Sequence, residues 1–360
     1  MRRITLVPIA ALAALTLAAV TLPASAANPP APSATSAKPR DITAIQKAEV
    51  AAHSRKFRPM ATTGASYTAL PDAYPVGKTM GFTVDHAKST PARYPNPALN
   101  YRNLPISIWY PAASGPVSKN DIIWANARAG YFPLIVFAPG FNSNPDTYEV
   151  FLHDLAAQGY VVAAPTFPME APIDGMAGPT RSNTEIIYQI YDMAAVITQM
   201  LAYSKTPGNF LSWAMSRTQI GVIGHSDGGM TVAGMTMSTS FVDPRVKTAV
   251  VMAGAGPYGL QWRNRKVVPL LMEQANKDPY NSPSSAAFLF NHVTGPRAYL
   301  ELNGIYHIWP LIGDDKIADL TRRTVIAHLD GQLKGGGGAS FWQMIAAGNV
   351  TGYTRLRFAS

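Results

Sequence analysis

The segment Gly224-His225-Ser226-Asp227-Gly228-Gly229 stands between an apolar run, Gln219–Ile223, and a helical pattern that begins after Ser226. A chain that passes from strand to helix within so few residues must turn sharply, and the side chain at the turn is thrust out above the sheet edge. The backbone at such a turn is strained, so small residues have to flank it. Gly224 and Gly228 meet that need. The helix that follows aims its N-terminus at Ser226, where it favours developing negative charge. A Gly-rich turn whose serine merely caps the helix is the structural alternative, and the strand–turn–helix context weighs against it.

The rest of the chain repeats this alternation. Short β-rich apolar runs predict strands at Thr79–Val84, Ile106–Tyr110, Leu134–Ala138, Tyr160–Ala164, Gln219–Ile223, Val246–Met252, Val267–Met272 and Arg297–Leu302. Helical spacing falls between them at Tyr148–Gln158, at Thr184–Tyr203 and after Ser226, and follows the last of them at Asp315–Leu333. Runs without polar alternation, separated by helices, imply an α/β fold with a mostly parallel central sheet of about eight strands, flanked by helices. Hydrophobic residues make up 47% of the chain, enough for one large core.

None of the 360 residues is cysteine. That excludes a disulfide framework, a Cys-ligated zinc or iron–sulfur site, and a thiol nucleophile. Covalent chemistry must then use another group, and Ser226 is the candidate. A serine hydroxyl needs a base, and the base an orienting acid. In this fold the chain order is the serine, then Asp or Glu, then the histidine. His292, His307 and His328 are the histidines after Ser226. His328 lies inside a helical pattern, and His292 precedes the Arg297 strand near a helix end. His307 follows that strand in a loop, Asn303-Gly304-Ile305-Tyr306-His307, and is the candidate base. For the acid, Asp278 lies in the loop beyond Val267–Met272. Its rivals are Glu273, still within the strand, Asp243 in an earlier turn, and Asp314 and Asp315, which suit a helix cap.

Two backbone N–H groups are expected to face a developing oxyanion. One belongs to Asp227, directly after Ser226. The other belongs to Phe141, in the Pro139-Gly140-Phe141-Asn142 loop after the third strand. The Phe141 ring would then form a wall of the pocket, and Tyr258, Trp262 and Trp309 are further candidate walls. Residues 166–183 form a long irregular segment that either lines the site or connects. Gly254-Ala255-Gly256-Pro257-Tyr258-Gly259 has the G-x-G-x-x-G spacing, but Pro257 and its late position argue against a dinucleotide loop. No His/Asp/Glu spacing calls for a metal. No metal and no cofactor are expected.

Residues 1–26 have the pattern of an export signal: Arg2 and Arg3, an apolar stretch from Ile4 to Leu22, and Ala24-Ser25-Ala26 before a cleavage point at Ala27. Residues 27–66 are a Pro/Ala/Ser/Thr-rich leader with a short helix expected over Asp41–His53. Residues 67–334 are expected to form the folded domain, and 335–360 a Gly-rich break and tail. The formal net charge is +9, from 30 Lys+Arg and 21 Asp+Glu. The charges are scattered, which argues against a nucleic-acid partner. The expectation is an exported monomer, extracellular or in the cell envelope, with no membrane span once the signal is removed.

These pieces together resemble the α/β-hydrolase superfamily. The similarity runs through Ile106-Ser107-Ile108-Trp109-Tyr110-Pro111, Pro133–Phe141, Leu155–Val162, Gly224–Gly229, Asp243-Pro244-Arg245-Val246, Asp278 and Leu300–His307. Within that superfamily the chain is similar to the bacterial group of platelet-activating-factor acetylhydrolase-like, dienelactone-hydrolase-like and cutinase or polyester hydrolase proteins. The resemblance implies a Ser226–Asp278–His307 triad, with the N–H groups of Phe141 and Asp227 as oxyanion donors. It implies hydrolysis of carboxylic esters, whether of lipids, short acyl esters or polyesters. Amide cleavage on the same triad, and a silent hydrolase fold used as a binding module, are the alternatives. The chain departs from the group in three ways. It has neither the cysteine nucleophile of dienelactone hydrolases nor the carboxy-terminal disulfide common in secreted polyester hydrolases. Its Asp227 also sets a carboxylate beside the nucleophile, where an ionised side chain would disfavour an anionic substrate.

Overall fold

The computed structural model describes residues 72–112, 132–256, 260–262 and 266–360. The expected signal, the leader with its short helix, and Tyr258 lie outside these residues. Nine strands form one sheet: β1 (Val76–Asp85), β2 (Arg102–Pro111), β3 (Phe132–Ala138), β4 (Val161–Pro165), β5 (Met215–His225), β6 (Thr248–Met252), β7 (Leu270–Ala275), β8 (Arg297–Leu302) and β9 (Thr354–Ala359). Their spatial order is β1-β2-β4-β3-β5-β6-β7-β8-β9. β4, β3 and β5 through β8 run parallel, while β1, β2 and β9 join antiparallel at the two edges.

The helices are α1 (Glu149–Ala157), α2 (Asn183–Lys205), α3 (Asp227–Met237), α4 (Pro283–His292), α5 (Trp309–Ile312), α6 (Lys316–Leu333) and α7 (Gly337–Gly348). They cover both faces, so the central strands are buried on both sides. In β3, Leu134 and Val136 join one core with Ile190 and Met193 of α2 and Val232 of α3. Ile135 and Phe137 point the other way, into a second core with Phe151 of α1, Val325 of α6 and Met344 of α7. β4 and β5 flank β3 on opposite sides, so the chain reverses its direction of winding there. The crevice at the carboxyl ends of β3 and β5 is therefore where a ligand site belongs in an open α/β sheet.

The segment 335–360, expected as a break and tail, is instead part of the fold. Gly335 (φ 69°) and Gly337 (φ 52°) allow a tight reversal, after which α7 packs along α6. β9 then pairs along the whole of β8 with Leu356 buried. No helix among the described residues is long and apolar enough to cross a membrane.

A buried charge cluster ties β2 to α2. The fully buried Arg102 donates to both oxygens of Asp192 (2.8 and 2.9 Å from Nε) and to Glu185. Removing the cation from such a group leaves buried carboxyls uncompensated, a change that costs about 3–5 kcal/mol. Arg102→Leu is expected to lose about that much stability, measurable as a lower urea midpoint with an unchanged slope.

Candidate active site

β5 ends at His225, α3 begins at Asp227, and Ser226 between them has φ 57° and ψ −118°. A non-glycine residue in this region is strained by about 1–3 kcal/mol and persists only where its surroundings impose it. Here the constraint is steric. A Cβ on Gly224 would lie 2.1 Å from the Gly228 carbonyl oxygen, and one on Gly228 would lie 2.0 Å from that of Ala138. The turn thus packs backbone against backbone, which only glycine permits. Although Ser226 occupies the N-cap position of α3, its side chain makes no capping hydrogen bond. The capping alternative therefore fails, and the hydroxyl is left to the cavity.

That cavity, of about 280 Å³, is lined by Gly140, Phe141, Tyr148, Arg181, His225, Ser226, Asp227, Tyr280, His307 and Ile308, among others. It brings together Ser226, His307 and the two expected N–H donors. Gly140 approaches the serine turn so closely that a Cβ there would lie 3.0 Å from Ser226 Cβ and 3.1 Å from the His225 carbonyl oxygen. Among the described residues, no protein group accepts a hydrogen bond from the N–H of Phe141 or of Asp227.

Asp278 follows β7, and His307 follows β8. Asp278 Oδ2 lies 2.7 Å from His307 Nδ1. The same oxygen accepts from Gln274 Nε2 at 3.0 Å, while Oδ1 accepts the N–H groups of Tyr280 (2.9 Å) and Asn281 (3.0 Å). Burial alone would raise the Asp278 carboxyl. The hydrogen bonds from His307 and from the Asn281 and Tyr280 backbone outweigh it and hold the carboxyl below its ordinary 3.8. A carboxylate there accepts a hydrogen bond from Nδ1–H of His307, and in that tautomer Nε2 keeps a lone pair that can take up a proton. The Tyr280 ring meets His307 edge-on, with centroids 5.0 Å apart.

The rival residues serve elsewhere. His292 binds the Phe288 carbonyl at the end of α4. His328 is buried in α6 with Nε2 2.8 Å from Thr248 Oγ1. Asp243 pairs with Arg245, and Asp315 caps α6. Glu273 stays within β7, where its buried carboxyl has no hydrogen-bond partner, and burial and then the Asp278 charge push it well above the ordinary range.

Trp262 and Trp309, expected as pocket walls, are not among the residues that line this cavity. Trp262 packs edge-on against Phe288 of α4 and joins the core on the α2 side. Trp309 packs on the opposite core, with its Nε1 donating to Asp315 Oδ2 at 2.8 Å. Phe141 does line the cavity. The expected charge effect of Asp227 also changes. Its carboxylate is buried and gripped through both oxygens by Nε and Nη2 of Arg181, so the mouth of the site carries a paired charge rather than a bare anion. Arg181 belongs to the irregular 166–183 segment, which Arg93 pins by donating to the carbonyls of Pro168 (2.7 Å) and Ala177 (2.9 Å). Beneath that segment the Glu170 carboxyl is pushed well above its ordinary range, first by burial and then by the Asp227 charge. Nothing local in the sequence marks Arg181 as a partner for Asp227.

Residues 135–346, more than half of the chain, match the model of the alpha/beta hydrolase family. No curated protein matches the chain. Among solved structures, the chain is similar to a ferulic acid esterase from Streptomyces cinnamoneus at 22% identity and a TM-score of 0.56, covering 72% of this chain and 91% of that one. At that identity the likeness concerns the fold. The match over residues 135–346, together with the mostly parallel sheet and the serine turn at the end of β5, identifies the chain as a member of the alpha/beta hydrolase family.

Proposed function

We propose that the protein is an exported serine hydrolase that cleaves carboxylic esters through an acyl-enzyme. The observation that carries this reading is the ionised Asp278 held 2.7 Å from His307 Nδ1, with His307 and the strained, uncapped Ser226 in one cavity. Ser226 Oγ attacks the ester carbonyl as its proton passes to His307 Nε2. The N–H groups of Phe141 and Asp227 bind the oxyanion. Collapse breaks the bond to the alcohol, which leaves with the proton from His307. Water then attacks the acyl-enzyme, His307 takes its proton, and Ser226 regains that proton as the acid departs. Asp278 stays ionised throughout and stabilises the imidazolium. None of these steps calls for a metal or a cofactor.

The narrower resemblance to the acetylhydrolase-like and cutinase-like group supports a substrate among lipids, short acyl esters and polyesters. The cavity of about 280 Å³ favours a short acyl group or the end of a longer chain. The similar solved structure is itself named an esterase, which agrees with ester chemistry. A chain-length series of chromogenic esters, matched anilides and a polyester film test the proposal. Short esters are expected to turn over well ahead of the anilides, and an organophosphonate is expected to label Ser226 stoichiometrically. Labelling elsewhere, or none in the folded protein, would refute it and favour a binding module. Faster anilide cleavage would favour an amidase. Export is checked separately by finding an amino terminus at Ala27 on protein collected outside the cytoplasm.

A further inference from the structure

Two buried side chains beneath Ser226 take no part in the steps above. Tyr148 and His225 are almost wholly inaccessible to solvent. Tyr148 Oη lies 3.0 Å from His225 Nδ1 and accepts the Gly140 N–H at 3.1 Å. His225 Nε2 lies 3.2 Å from the carbonyl oxygen of His307. The direction of these bonds follows from what each group can do. Burial, reinforced by the neighbouring His307, drives the His225 pKa down to about 3, so the ring is neutral and carries one N–H. A carbonyl oxygen only accepts, so that proton is on Nε2. Nδ1 is then an acceptor, and the Tyr148 hydroxyl donates to it, which leaves the hydroxyl lone pairs for the Gly140 N–H and the Ser143 hydroxyl. The result is one directed chain: Gly140 N–H to Tyr148, Tyr148 O–H to His225, His225 Nε2–H to the His307 carbonyl.

We infer that Tyr148 and His225 are positioning residues that hold the Gly140–Phe141 loop in register with the backbone of His307. The inference rests on the reading of Ser226 as nucleophile and His307 as base. The oxyanion donor at Phe141 and the base at His307 come from opposite sides of the serine turn, after β3 and after β8, and no strand pairing joins those loops. The buried chain joins them beneath the nucleophile. Packing alone does not need it: the Tyr148 ring already packs at a tilt against Phe137 with centroids 4.8 Å apart, and His225 against His307 at 4.5 Å. What the hydroxyl and imidazole add is direction.

Tyr148→Phe keeps the ring and removes only the hydroxyl. A shift of about 1 Å in a reacting group costs about 100-fold, so kcat for a short chromogenic ester is expected to fall by about 10- to 100-fold while KM stays within about twofold. His225→Leu breaks both links. His225→Gln offers an amide N–H to the His307 carbonyl and an amide oxygen to Tyr148, and is expected to be at least about tenfold more active than His225→Leu. If His225→Leu does not fold, ¹⁵N-histidine spectra of the wild-type protein supply the second measurement. The His225 signals, assigned by their loss in His225→Gln, are expected to show protonated Nε2 and bare Nδ1. Wild-type kcat in Tyr148→Phe, equal activity of the Leu and Gln variants, or an Nδ1–H tautomer would each overturn the inference. If Ser226 of the wild-type protein takes no organophosphonate label, the ester-hydrolase reading has failed instead. The tautomer then still reports on the chain of hydrogen bonds.

Discussion

Ser226→Ala is expected to lower kcat toward a short chromogenic ester by about 10⁶-fold, because loss of a nucleophile leaves only the binding and oxyanion contributions. Stability is expected to move little. Alanine keeps the Cβ that makes φ 57°, ψ −118° unfavourable, and the deleted hydroxyl caps nothing in α3. Ser226→Gly tests the same position from the other side. Glycine adopts this conformation without strain, so the glycine variant is expected to be as inactive as the alanine variant yet more stable by about 1 kcal/mol, within the 1–3 kcal/mol such backbone strain costs. Ester kinetics and urea unfolding on the three proteins decide it. If Ser226→Ala keeps more than about one hundredth of wild-type kcat, Ser226 is not the nucleophile. If glycine gives no gain in stability over alanine, the turn is not held under strain.

The serine turn was legible from sequence because its constraint is local. Gly224 and Gly228 stand where a Cβ would meet backbone, so residue identity and conformation are tied within the same short segment. The central strands were legible for a related reason: β3 and β4, buried at every position, leave no room for polar alternation. The edges were harder to read. β1 extends from Val76 to Asp85, beyond its apolar run, since an antiparallel edge strand pairs through half-exposed residues. The glycines at 335–338 read as a break, yet Gly335 and Gly337 adopt the positive φ of a reversal that folds α7 back on α6. Side chains that act across distance left no local trace. Arg181 and Asp227 are 46 residues apart, and Tyr148 and His225 are 77 apart. Aromatic identity likewise marked Trp262 and Trp309 as apolar without saying which surface each covers.

Asp278→Asn is expected to reduce kcat by about 10⁴-fold in a protein that still folds. Asparagine can keep the contacts at Oδ1, where the N–H groups of Tyr280 and Asn281 arrive at 2.9 and 3.0 Å. At the other oxygen the fit fails. An amide NH₂ there would face the Gln274 Nε2 donor and the His307 Nδ1–H, which now approach to 3.0 and 2.7 Å. His307 escapes the donor–donor conflict by moving its proton to Nε2, and in that tautomer it has no lone pair for the Ser226 proton. Rotating the amide instead turns donors against the Tyr280 and Asn281 N–H groups. Glu273 cannot take over as the acid. Its carboxyl is buried without a hydrogen-bond partner, and burial and then the Asp278 charge push it well above the ordinary carboxylate range, which disfavours the anion that an orienting acid must be. The variant should also change the pH dependence of stability. The Asp278 carboxyl is held below its ordinary 3.8 in the fold, so its contribution is fully present above that value and is lost as pH falls through the lower folded one. Wild-type protein is therefore expected to lose stability in that acid window, and Asp278→Asn to lose less there. Activity within about tenfold of wild type, with the Nδ1–H tautomer of His307 retained in ¹⁵N spectra, would show that some other group orients the base.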